Sequence, residues 1–94
     1  MATLHVVSHS PFTDTRLDSC LRVLGERDAV LLCGDGTYAL RRDDPALAAL
    51  GERLFVLQED LQARGLTLPA DANAVDYPGF VDLSIRFDKV NTWL

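Results

Sequence analysis

No run of apolar residues in this chain approaches the length of a membrane-spanning helix. The opening Met1-Ala2-Thr3 does not read as a signal peptide. Those two absences lead to the expectation of a cytoplasmic protein with no membrane partner. Basic residues are also short: nine lysines and arginines face fourteen acidic residues, for a net charge of −5. Direct, non-specific nucleic-acid binding needs a basic footprint and is not expected. Cysteine is scarce. Cys20 and Cys33 are the only two, they form no C-x-x-C pair, and they do not make a disulfide framework. With His5 and His9 the only histidines, a structural zinc site is not expected, nor is any other cofactor. Ninety-four residues leave little room for a second domain, so residues 1–94 are read as one. A domain this small buries a modest share of its surface, which favours association with other chains. There is no repeat, low-complexity segment or linker.

What is present is organised around Ala29-Val30-Leu31-Leu32-Cys33 and the turn Gly34-Asp35-Gly36. Five apolar residues without polar alternation predict a strand covered on both faces. Thr37-Tyr38-Ala39-Leu40 then reads as a helix start, with Asp35 as its N-cap. Before that unit, residues 3–7 predict a first strand, broken at Pro11. A helix over 14–24 follows, capped by Thr13 or Asp14 and ended by Gly25, with Leu17, Leu21 and Leu24 as its buried stripe.

After the central unit, Pro45 starts a helical piece over 45–50 and Gly51 ends it. Residues 54–57 predict a third strand, and 59–64 a short helix stopped by Gly65. Residues 66–73 are a loop, and Ala74-Val75 a very short fourth strand. Asp76 caps a helix running to Phe87, with Phe80, Leu83 and Phe87 on one face. Residues 89–94 are too apolar for a free tail and are expected to dock as an edge strand. Strand and helix alternate, which predicts a parallel sheet with helices on both faces and right-handed crossovers. Sites in such sheets lie at the carboxyl ends of the strands: here 8–10, 34–36, 58–60 and 76–77.

Several residues could carry chemistry. Gly34-Asp35-Gly36-Thr37-Tyr38-Ala39 matches G-x-G-x-x-A, but it follows the second strand and places Asp35 where a pyrophosphate would sit. A structural turn is the better reading. Cys20 lies roughly 60° from Leu17 on the first helix, at the edge of the apolar stripe. With Arg16 and Arg27 nearby, an exposed thiolate and a packed small hydrophobe are both open readings. Cys33 ends a buried strand and reads as core. His5 reads as structural, and His9 as a loop residue able to line a cleft. Glu59-Asp60 reads as helix-start electrostatics rather than an acid–base pair. Trp93 is core or interface.

Five segments in order then resemble one family. They are Leu4-His5 with Ser10-Pro11-Phe12; Leu31-Leu32 with Asp35-Gly36 and Tyr38-Ala39; Glu59-Asp60-Leu61 with Ala63-Arg64-Gly65-Leu66; Asp76-Tyr77 with Phe80-Val81 and Leu83; and Lys89-Val90 with Trp93-Leu94. Together they resemble the DsrH/TusB sulfur-relay family across nearly the whole chain. The resemblance implies a three-layer α/β/α DsrE-like fold with a five-stranded, mainly parallel sheet. It implies a heterohexamer with TusC/DsrF-like and TusD/DsrE-like subunits, and a TusE/DsrC-like sulfur acceptor. It implies persulfide transfer toward 2-thiouridine at the tRNA wobble position. Cys20 matches the position where DsrH-type members carry a cysteine, which makes it the candidate catalytic residue. A non-catalytic assembly subunit, and a subunit of a sulfur-oxidation relay, are the alternatives.

Overall fold

Ala29–Leu32 forms strand β2, and all four of its residues are buried. A computed structural model describes residues 2–93. Around β2 lie β1 (Thr3–Val7), β3 (Leu54–Leu57), β4 (Asn73–Val75) and β5 (Lys89–Trp93) in the order β4-β3-β2-β1-β5. Every neighbouring pair is parallel. The uninterrupted apolar run of β2 has the physical cause expected for it, since both of its faces are covered.

One face carries helices α1 (Arg16–Arg22), α2 (Pro45–Ala48) and α3 (Gln58–Ala63), with a 3-10 segment over Gly34–Arg41. Leu17, Cys20, Ala39, Leu47 and Leu61 pack there on Val7, Val30, Leu32, Leu54 and Val56. Among the described residues the other face carries α4 (Tyr77–Arg86) alone, whose Leu83 packs on Leu4, Val6, Ala29 and Leu31. The chain steps from β1 to β4 with its helices on one face. It then returns past β1 to β5 with α4 on the other, as right-handed crossovers require. The topological switch point therefore lies between β1 and β5.

Local signals act where they are strongest. Asp44 and Asp76 each cap a helix, accepting from the N–H groups of Ala46 and Gly79. Gly51 and Gly65 take positive φ of 55° and 60° at helix ends. The helix expected over 14–24 is shorter, because the chain turns at 25–28 to let Asp28 enter the interior. The residues after the central turn form a 3-10 segment beginning at Gly34, and Asp35 caps nothing: it pairs with Arg64. The tail docks as an edge strand in register with β1, from Thr3 opposite Lys89 to Val7 opposite Trp93. Leu94, expected to dock with it, lies outside the described residues.

Candidate functional site

Of the two readings open for Cys20, the structure has the packed one, while Cys33 is more open than expected. Cys20 is fully enclosed at 0% exposure between α1 and the sheet. Burial pushes its thiol up to about 12, and the Asp28 carboxylate adds to the shift. The reading of an exposed thiolate favoured by arginine does not fit this position. Arg16 pairs with Asp14, and the charge acting on Cys20 is negative. Three helices and the 3-10 segment crowd that face, so the buried stripe of α1 is wider than its leucines alone suggest.

Cys33, expected in the core, is half-buried just beyond the end of β2, and its thiol lies 3.9 Å from the Val7 carbonyl. Burial raises its pKa as well; Asp60 adds to the shift and Arg64 opposes it. A thiol-labelling time course on the native chain should therefore show Cys33 modified first and Cys20 only with unfolding. Single Cys→Ser variants assign the two phases, and a fast phase lost in Cys20→Ser would contradict the closed position.

At the carboxyl edge, the Gly34 N–H donates to Asp60 Oδ2 at 2.7 Å, and Arg64 pairs with Asp35 at 3.0 Å. Arg41 and Arg64 both lie over the Tyr38 ring, 5.6 Å from its centroid. Gly36 approaches β1 so closely that a Cβ there would sit 2.3 Å from the Val7 carbonyl oxygen. The crevice in which a G-x-G loop would hold phosphate is thus filled by main chain and a carboxylate. His9 is half-buried, and its Nδ1 is enclosed without a hydrogen-bond partner among the described residues. No group of three His, Cys, Asp or Glu side chains able to hold a metal occurs among the described residues.

The strongest polar constellation joins residues far apart in sequence. The buried Asp28 carboxylate accepts from the N–H groups of Thr3 and Gly25, each at 2.9 Å, and meets His5 Nε2 at 3.2 Å. His5 Nδ1 accepts the Trp93 indole N–H at 3.1 Å. An indole only donates, so the His5 proton resides on Nε2 and faces Asp28. Burial alone would raise the Asp28 carboxyl. The Gly25 and Thr3 N–H groups and His5 outweigh it and hold the group below its ordinary value. His5 was legible as structural from its strand; its two partners were not.

Exposed apolar side chains gather on α4: Tyr77, Val81 and Ile85 are 52%, 59% and 77% exposed, and Val90 on β5 is 40% exposed. No helix among the described residues is long and apolar enough to cross a membrane.

Known proteins resemble this chain along its length. Residues 9–90 match the family described as DsrH like protein. The proteins named Protein TusB from Yersinia pestis (strain Pestoides F) and Yersinia pseudotuberculosis serotype O:1b (strain IP 31758) are each 36% identical over 95 residues, covering 96% of this chain and 99% of theirs. Among solved structures, the ychN protein from E. coli superposes with a TM-score of 0.73 at 19% identity, covering 98% of this chain and 99% of that one. That likeness concerns the DsrE-like fold alone.

Proposed function

This chain belongs to the DsrH-like family, and we propose on that footing that it is an assembly subunit of a sulfur-relay complex serving tRNA 2-thiolation. It works in the cytoplasm, in a heterohexamer with TusC/DsrF-like and TusD/DsrE-like chains. The complex passes persulfide sulfur to a TusE/DsrC-like acceptor. On this reading Cys20 is a core residue and the carrier thiol belongs to a partner chain. Carriage by Cys20 itself requires α1 to lift from the sheet, since thiol exchange needs both access and thiolate.

The observation that carries the reading is the exposed flank of α4. Tyr77, Val81 and Ile85 follow one another at i, i+4 and i+8 and form one stripe. The opposite flank of α4 (Gly79, Asp82, Leu83, Arg86) borders a cleft shared with Phe55 of β3 and Asn73–Val75 of β4. The stripe therefore overhangs the β1–β5 half of the sheet. Val90 lies on the same face there, opposite Leu4 in register. A single helix about 10 Å wide covers roughly half of a five-stranded sheet about 19 Å across. An apolar helix flank and a half-covered sheet together favour packing against a neighbouring subunit.

The test is the double variant Val81→Asp with Ile85→Asp, co-expressed with the partner chains. It should fold, with an unchanged circular dichroism spectrum and a melting point within a few degrees of wild type, and it should be missing from the assembled complex. A complex of unchanged mass that retains the variant would sink the assembly reading.

A further inference from the structure

We infer that His5, Asp28 and Trp93 form a proton-sensitive latch that holds the carboxyl end of β5 to the sheet when His5 is neutral and releases it when the ring is protonated. Both ring nitrogens are committed. Nε2–H donates to a buried carboxylate, and Nδ1 accepts the only contact the Trp93 indole N–H makes among the described residues. His5 is 4% exposed, and its ring centroid lies 6.1 Å from that of Trp93 at an interplanar angle of 35°.

A proton can enter only at Nδ1. There it turns the acceptor into a donor and sets two N–H groups against each other. The imidazolium keeps its bond to Asp28, now as an ion pair, so the acid form loses Trp93 and not the core. The two sides of the network differ in how firmly they are held. Asp28 is fixed by two main-chain N–H groups in addition to His5. Trp93 is half-buried at the end of an edge strand whose four preceding residues are exposed.

The charged and titratable groups around the ring can be named element by element. Asp28 precedes β2 and is held ionised. Cys20 on α1 is held protonated. Lys89 lies on β5 opposite Thr3, and Asp88 just before β5 accepts the Ala2 N–H. Arg53, ahead of β3, donates to the carbonyls of Gly25, Glu26 and Asp28. Of these, Asp28 alone hydrogen-bonds the ring among the described residues, so protonation has one stabilising partner and one contact to break.

Trp93 is the only tryptophan, so its fluorescence reports the latch directly. In an acid titration of the full-length chain, the emission should shift to the red and return on neutralisation. Far-UV circular dichroism should stay native over the same interval. In His5→Asn, whose side-chain oxygen replaces Nδ1 as an acceptor that does not titrate, the emission should stay flat across that interval. Trp93→Phe supplies a second reading should His5→Asn not fold. Its β5 amides should exchange fast at neutral pH relative to their intrinsic rates, with no further acid step, whereas wild type shows such a step. The inference is overturned if wild-type emission moves only with global unfolding, if the red shift persists in His5→Asn, or if Trp93→Phe keeps the wild-type acid step.

Discussion

Gly36→Ala is expected to destabilise the chain by about 3 kcal/mol or more, because a methyl group there overlaps a backbone atom that cannot yield. The added Cβ would lie 2.3 Å from the Val7 carbonyl oxygen and 3.0 Å from its carbon. Val7 ends β1, which is hydrogen-bonded on both sides, to β2 and β5. The Cys33 N–H donates to the same Val7 carbonyl at 3.1 Å, which holds the oxygen in place.

In thermal unfolding the loss corresponds to a fall of at least roughly 12 °C for a domain of this size. The glycines with positive φ provide the contrast. Gly34, Gly51 and Gly65 take φ of 51°, 55° and 60°, and nothing lies closer than 3.5 Å to a Cβ built on Gly34. Alanine at each should cost about 1 kcal/mol, the strain of the left-handed region alone. If Gly36→Ala melts with Gly65→Ala, the close approach of the 3-10 segment to β1 is wrong.

Asp28→Asn is expected to cost about 3 kcal/mol, with a melting point roughly 12–24 °C lower. Asp28 Oδ1 accepts from Thr3, and Oδ2 from Gly25 and His5. Whichever way an asparagine turns, its NH2 group meets an N–H of this network and leaves a donor unsatisfied. The carboxyl group is held below its ordinary value. Its contribution is therefore present at neutral pH and above, and is lost as pH falls through the folded-state value. The stability difference between wild type and Asp28→Asn should shrink over that acid range.

Asp82→Asn is the control. Asp82 and Arg86 form an exposed pair on α4, at 58% and 70% side-chain exposure. Its loss should cost under about 0.5 kcal/mol. Equal effects at the two positions would show that the buried network contributes no more than a surface pair.

How much of this was legible in the chain varies with the distance between the residues involved. Ala29 to Leu32, the Asp44 and Asp76 caps and the Gly51 and Gly65 stops depend on neighbours a few positions away, and each acts where the sequence places it. The three-residue β4 was readable only as an apolar pair after a loop. The Asp35 cap failed because a partner 29 residues away, Arg64, competes for that carboxylate. Asp28, next to the β2 run in sequence, is a buried anion. His5 lies 23 positions before it, and Trp93 88 positions after His5, separations that no periodicity spans.

The chain's own order determined the parallel sheet, its layers and the docked final strand, because apolar runs and turn residues act on the backbone around them. Which thiol is closed, which crevice is filled and which histidine is locked were decided only in the tertiary structure. Cys20 is closed in the core between α1 and the sheet, and Cys33 is left half-open where β2 ends. Burial and hydrogen-bond partners depend on what lies across the sheet, and sequence spacing counts only what lies along the chain.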